Sequence, residues 1–309
     1  MTLDTSVLFL PAGSPFRLDL TVWALRRRKA NIVDQWDGKR YTRIAVFDGD
    51  PVRMTVTQEG EEAKTRIRVA ILAKNEITPQ LRSDVRSLLR KMLGLTIDMQ
   101  PFYASARTHD ILKPLVERFL GVRPPRFSST FEALVNSIAC QQVTLDSGIS
   151  ILNRLSQGLG VKFYDEDGTS YAFPRPEDFE EVREEDIKKL GFSHQKARAI
   201  KELAAAVADK KIDLSTLEEM DNDEATDFLR TIRGIGRWSA EYVLLRGLGR
   251  IDSFPGDDVG AQNNLKRVFK LDHKPGYEEI RKLTAPWRPY EGLVYFHLLL
   301  QNLHLKGVI

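Results

Sequence analysis

Leu229-Arg230-Thr231-Ile232-Arg233-Gly234-Ile235-Gly236-Arg237-Trp238-Ser239-Ala240 reads as two helices joined by a Gly-x-Gly hairpin. Glycine suits a turn that needs positive φ, and its missing side chain lets another backbone come close. The second helix begins with free N–H groups at Gly236 to Trp238, and a helix N-terminus is a ready anion site. Duplex phosphate is one such anion, held without any reading of bases. On Gly-x-Gly alone, an αα-corner packed for compactness is the plainer account.

Working outward, the chain is helical from Leu112 onward. Downstream, Phe254-Pro255-Gly256-Asp257-Asp258 places two carboxylates at the start of a helix predicted over Val259–Phe269. Upstream, Ser129-x-x-Glu132 is a capping box that starts a helix carrying Phe131, Leu134, Val135 and Ile138 on one face. The same patterning predicts helices over Glu184–Leu190, Gln195–Asp209, Asp223–Ile232, Arg237–Gly247, Tyr277–Leu283 and Tyr290–Leu303. Tyr164–Ser170 and Phe173–Glu177 read as loops from their Gly, Pro and acidic residues.

Upstream of Leu112 the style is different. From Phe16 to Ile71 the pattern is strand-like, with Leu18, Leu20 and Val22 alternating, then Ile44, Val46 and Phe47. Asp48-Gly49-Asp50-Pro51 reads as a turn before Val52, Met54 and Val56, and Gly60-Glu61-Glu62 separates that run from Ile67, Val69 and Ile71. A helix follows from about Pro79 to Leu93. The expected architecture is α+β: an N-terminal antiparallel-sheet domain over residues 1–112, then an all-helical domain over 113–309.

The 309 residues suit about two domains. Hydrophobic residues at 42% and charged residues at 29% exclude a disordered or fibrous chain. No apolar stretch nears the ~18 residues of a membrane helix. Asp4 interrupts any signal-peptide pattern, so a cytoplasmic protein is expected. The single cysteine, Cys140, excludes an internal disulfide and a four-cysteine zinc or iron–sulfur site. Net charge is only +3, but residues up to Leu112 carry 18 Lys/Arg against 13 Asp/Glu, while the remainder carries 28 against 30. Arg26-Arg27-Arg28-Lys29 is the densest basic run, read as a solvated turn in preference to a phosphate-binding patch. Histidines 109, 194, 273, 297 and 304 show no ligand spacing, and the acidic stretch Glu177–Asp186 reads as a solvated face turned away from any polyanion.

The wider string is specific. Gly234-Ile-Gly-Arg-Trp-Ser-Ala-x-Tyr242, with Phe254-Pro-Gly-Asp-Asp258 ending 20 residues after Trp238, resembles the helix-hairpin-helix DNA glycosylases. Within them it is most similar to the DNA-3-methyladenine glycosylase II family, which removes alkylated bases. Phe131-Glu-x-Leu-Val-x-x-Ile-x-x-Gln141-Gln142-Val143, Leu190-Gly191-Phe192-x-x-x-Lys196-Ala197 and Trp287-Arg288-x-Tyr290 agree in order. The resemblance covers roughly 113–300; the N-terminal third shares only length and strand style.

Breaking an N-glycosidic bond builds oxocarbenium-like positive charge on the sugar, so the site needs a fixed carboxylate and a water. The resemblance puts Asp258 in that role, and Asp257 reads as the helix N-cap. It places Trp238 where related bifunctional enzymes hold a Schiff-base lysine, which implies a monofunctional glycosylase that leaves an abasic site. Trp238 and Tyr242, one turn apart, would line the base pocket with Phe296, where the family carries a further aromatic; ordinary helix core is the competing reading. Gln142 matches the position that fills the hole left by a flipped base, against a reading as a helix-end cap. Gly234, Gly236, Arg237 and Ser239 would hold the DNA backbone. The carbonyls of Arg230, Ile232 and Ile235 match positions of a structural monovalent cation (Na or K), and no other cofactor or iron–sulfur cluster is implied. The expected partner is double-stranded DNA containing damaged bases, met by a monomer with no membrane contact. The function implied is hydrolysis of alkylated purines such as 3-methyladenine and 7-methylguanine. A glycosylase for deaminated or oxidised bases on the same scaffold, or a non-catalytic DNA-binding module, are the alternatives.

Overall fold

A computed structural model describes residues 3–60 and 65–309. Five antiparallel strands form the N-terminal sheet: β1 (Asp4–Pro11), β2 (Gln35–Trp36), β3 (Arg40–Phe47), β4 (Asp50–Glu59) and β5 (Arg66–Ala73). They lie in the order β1-β5-β4-β3-β2. The β3–β4 turn falls at Asp48 and Gly49, both at positive φ (48° and 88°), as a tight hairpin turn needs. Val52, Met54 and Val56 point inward across from Ile71, Val69 and their neighbours, the period-two pattern of a sheet covered on one face. Glu61 and Glu62 lie outside the described residues. The edge strand β1 has no counterpart among the expected strands.

Leu18–Arg26 is a helix, α1, not the expected strand. Leu18, Val22 and Leu25 (i, i+4, i+7) pack into the core beneath the sheet, whereas Leu20 and Ala24 (i, i+4) pack into a second core with the C-terminal helix. Two helical stripes on opposite faces interleave in sequence and imitate strand alternation. Burial of both stripes, at about 1.5–3 kcal/mol for each large aliphatic side chain, lets tertiary context decide.

The helical part holds α2 (Pro79–Met92), α3 (Gln100–Ala106), α4 (Leu112–Arg118), α5 (Thr130–Cys140), α6 (Leu145–Leu159), α7 (Glu184–Lys189), α8 (His194–Ala208), α9 (Asn222–Thr231), α10 (Arg237–Val243), α11 (Val259–Val268), α12 (Tyr277–Thr284) and α13 (Glu291–Leu305). Those anticipated from the sequence start and stop within a few residues of expectation. The helix expected over Arg237–Gly247 instead changes at Leu244 into a π-helical turn, Leu244–Leu248. The stretch read as a loop at Tyr164–Ser170 is a short hairpin, β6 (Lys162–Asp165) and β7 (Gly168–Tyr171), pinned to β4 by ion pairs from Arg53 to Asp165 and Asp167.

The capping box is half formed. Ser129 Oγ accepts the Glu132 amide at 3.1 Å, but the Glu132 carboxylate turns to the Ser128 amide and hydroxyl and to Arg43. Arg43 on β3 is buried between Asp34 and Glu132, each at 2.6 Å, and Tyr41 donates to Asp34 at 2.8 Å. This buried network, complete except for the unpartnered Arg43 Nε, fastens the sheet to α5, which carries one wall of the cleft described next.

Candidate active site

Asp258 lines a cleft of about 990 Å³ between α5, α10, α11 and α13. Its Oδ1 accepts the Ala261 amide at 2.8 Å, so Asp258 itself is the N-cap of α11. Its Oδ2 accepts the Trp238 indole N–H at 3.2 Å. One oxygen is thus bound to the backbone and the other to an aromatic wall, which fixes the carboxylate plane. Asp257, expected as the cap, instead takes the Arg237 guanidinium at 2.8 and 3.2 Å.

The turn before Asp258 is held from both sides. Glu241 accepts the Gly256 amide at 3.1 Å and the Tyr277 hydroxyl, and Gln262 donates to the Gly256 carbonyl at 3.1 Å. A Cβ on Gly256 would meet the Tyr277 ring at 2.8 Å, so this position excludes a side chain. Burial pushes the Glu241 carboxyl above its usual range.

Trp238 and Tyr242 form the expected pair, with ring centroids 5.4 Å apart at 33°. Both line the cleft. Phe296 does not. It is 1% exposed, in the core behind the cleft, with the Arg246 guanidinium 5.4 Å from its ring. Its neighbour Tyr295 is the aromatic of α13 that reaches the cleft, because a one-residue step along a helix turns the side chain by about 100°. Two arginines lie against Tyr242, one of them from the basic run expected as a solvated turn. Arg27, from the turn after α1, donates to the Tyr242 hydroxyl at 2.8 Å and to Asn136 Oδ1 at 2.7 Å. Arg246, from the π-helical turn, is fully buried and donates to the Ala24 and Leu25 carbonyls at 2.9 and 3.0 Å. Arg26 is also buried, bonded to the Arg28, Lys29 and Trp36 carbonyls, so the basic run is no solvated turn; Arg28 lines the cleft beside Arg27 and pairs with Asp146 at 2.8 Å.

At the other rim, Gln141 and Gln142 separate in role. Gln141 donates to the Gly234 carbonyl at 2.7 Å and to Ser239 Oγ at 2.9 Å, which ties the end of α5 to the hairpin. Lys196 donates to the Ala139 and Gln141 carbonyls at 3.0 and 2.6 Å and braces the same segment. Gln142 is exposed, in the left-handed region (φ 53°), and projects from this braced turn beside the cleft. In the hairpin Gly234 has φ 81°, but Gly236 is extended at φ −96°, ψ −177°, so only Gly234 needs glycine for its backbone. A Cβ at Gly236 would meet nothing within 4 Å. Its lack of a side chain keeps the amides of Gly236 to Trp238 open to an approaching group.

Two residues expected on DNA are otherwise engaged. Ser239 is buried and occupied by Gln141. Arg237 is held by Asp257 and lies 3.5 Å over the Tyr277 ring, so it braces the Asp258 turn. In the hairpin the Ile232 carbonyl accepts the Ile235 amide at 3.1 Å and retains a second lone pair. Among the described residues no three His, Cys, Asp or Glu cluster to hold a metal ion, and no helix is long and apolar enough to cross a membrane.

Glu241, Gln262, Tyr277, Lys196, Arg27, Arg246 and Tyr295 were missed from the sequence. Tyr277, Lys196, Arg27 and Arg246 act across 36 to 222 residues of sequence, where no local pattern reaches. Lys196 lies in a quoted motif, Arg27 in the basic run, and Glu241 at the unspecified position before Tyr242.

Residues 135–289, half of the chain, match the HhH-GPD superfamily of base excision DNA repair proteins. The chain belongs to that superfamily. A DNA-3-methyladenine glycosylase of Bacillus subtilis is 26% identical over 248 residues, which cover 77% of this chain and 82% of that protein. The 3-methyladenine DNA-glycosylase structure from Archaeoglobus fulgidus superposes with a TM-score of 0.81 over 95% of this chain and 97% of its own, at 24% identity, and so supports the fold. A Schizosaccharomyces pombe 3-methyladenine DNA glycosylase solved with abasic DNA gives a TM-score of 0.54 at 25% identity, covering 65% of this chain and 95% of its own.

Proposed function

We propose that this chain is a monofunctional DNA glycosylase that hydrolyses the N-glycosidic bond of alkylated purines, with Asp258 as its catalytic carboxylate. One observation carries the reading: Asp258 is fixed by Ala261 and Trp238 in the wall of an aromatic cleft whose α10 side starts at the hairpin. A carboxylate there stabilises positive charge as it develops on the sugar and orients a water toward C1′. Trp238 supplies a ring face and an N–H but no amine, so no Schiff base forms at that position.

Duplex DNA is the partner in this reading. The Gly236–Trp238 amides hold a phosphate at the hairpin, and Gln142, on its braced turn, fills the space of the extruded nucleotide. The Arg230, Ile232 and Ile235 carbonyls are hard oxygen donors of the kind that suits a sodium or potassium ion, which would rigidify the hairpin. The N-terminal division at residue 112 carries the sheet, while its α1 turn lends Arg27 to the cleft.

The test is base release from duplexes holding 7-methylguanine, 3-methyladenine, hypoxanthine, 8-oxoguanine or uracil, followed by chromatography of free base and by alkali cleavage of the strand. Release of the methylated purines with alkali-dependent cleavage is expected. Binding without release of any base would reduce the protein to a DNA-binding module.

A further inference from the structure

Arg27 occupies an unusual place. It follows α1 in the left-handed region (φ 62°), a conformation that strains a residue with a side chain. The side chain is 4% exposed yet lines the cleft. Its hydrogen-bond partners are the Tyr242 hydroxyl, Asn136 Oδ1 and, at 3.9 Å, the Cys140 sulfur, none of them a carboxylate, and its buried Nε has no partner. Arg246, just behind, is likewise bonded only to carbonyls, with its guanidinium 5.6 Å from the Tyr242 ring and 5.0 Å from Phe127. Among the described residues no carboxylate forms an ion pair with either arginine; Asp34 and Glu132 are taken by Arg43, and Asp257 by Arg237. Two arginines without an ion-pair partner therefore back the Tyr242 face, and Asp258 is the carboxylate that acts on the same ring from the cleft.

That arrangement has a chemical direction. Because the Tyr242 oxygen accepts from Arg27, its own proton is free to donate, and a hydroxyl that accepts from a cation is the stronger donor for it. The floor of the cleft is thus a donor in a positive field. A base that is already cationic is held by the ring faces and Asp258 and gains nothing from this donor. A neutral purine with an acceptor on its edge gains a hydrogen bond that strengthens as the base departs.

We propose that Arg27 is a specificity-determining residue of the base pocket, which extends excision from cationic alkylpurines to neutral purines bearing a carbonyl or lone-pair acceptor. The proposal rests on the glycosylase reading above. In the neutral case the C1′–N bond breaks with its electron pair going to the base, which leaves as an anion. Water adds its hydroxyl to C1′, and its remaining proton neutralises the base by way of Asp258 and solvent. A cationic alkylpurine leaves as a neutral molecule, and the water proton passes to solvent. Only the first case builds negative charge for Arg27 and Tyr242 to stabilise.

The experiment compares single-turnover excision of hypoxanthine (neutral, with a carbonyl) and 7-methylguanine (cationic) by wild type, Arg27→Met, Arg27→Lys and Tyr242→Phe. The wild type should release both. In Arg27→Met the hypoxanthine rate should fall at least tenfold while the 7-methylguanine rate holds, so their ratio drops at least tenfold; Arg27→Lys should restore part of that ratio. Tyr242→Phe keeps the ring, so it should lower the ratio even if Arg27→Met folds poorly. A ratio is insensitive to the fraction of folded enzyme. An unchanged ratio in Arg27→Met and in Tyr242→Phe, or wild type that releases 7-methylguanine but no hypoxanthine, overturns the proposal and leaves the glycosylase reading standing. Release of neither base overturns both.

Discussion

The hairpin and the turn after α1 meet at the same cleft, yet they are built by different means. From Gly234 to Tyr242 the chain brings its own parts together: a left-handed glycine, an open glycine, and two aromatic rings one helical turn apart. The turn after α1 contributes one side chain, Arg27, whose partners Asn136 and Tyr242 lie 109 and 215 residues away. A site element encoded within one helical turn is written as a motif. An element that depends on two distant segments meeting is not. The same contrast separates Asp258, which caps its own helix, from Arg43, whose charge is balanced only where β3 meets α5.

Asp258→Asn tests the locally encoded side most severely. Its amide keeps the size and an oxygen for the Ala261 amide but loses the negative charge, so excision of 7-methylguanine should fall by about 10⁴-fold while duplex binding persists. Single-turnover rates and an equilibrium binding curve check this, and near-normal turnover removes Asp258 from the mechanism.

Arg43→Met tests the distant side. It leaves Asp34 and Glu132 buried without their cation, which should cost about 3–5 kcal/mol of stability. Denaturant unfolding measures the loss; a change below about 1 kcal/mol would mean that the sheet is held on α5 by apolar packing alone.

Gly236→Asp probes grip without touching the pocket. The space in front of Gly236 and its extended backbone admit the side chain, so circular dichroism should be unchanged. A carboxylate beside a phosphate should weaken binding of damaged and undamaged duplex alike by roughly three- to tenfold, and flatten the salt dependence by about one counterion. Equal affinity across salt concentrations would make the hairpin a packing corner.

The smallest expected signal is none. Borohydride should trap no protein–DNA adduct, because Trp238 occupies the position after the hairpin where an amine would attack. A trapped species on denaturing gels would show that another amine reaches C1′ and that strand cleavage belongs to this chain's chemistry.

The amino-acid sequence by itself determined the hairpin, the order of the helices around it, the Trp238–Tyr242 pair and the position of Asp258, because each rests on interactions within about one turn of backbone. It also located the Asp48–Gly49 turn and the period-two strands β3 to β5, whose registers follow from one buried face. It misjudged Leu18–Arg26, where two buried stripes overlap in one short helix. It placed Phe296 in the cleft, where a one-residue step around α13 puts Tyr295 instead. It assigned the helix cap to Asp257 and a phosphate to Arg237, which pair with each other. Tertiary structure alone decided that Arg27 and Arg246 stand behind Tyr242. The cost of burying a charge depends on every group packed around it, and those groups come from α1, α5, α10 and the π-helical turn, which only the fold brings within reach of one another.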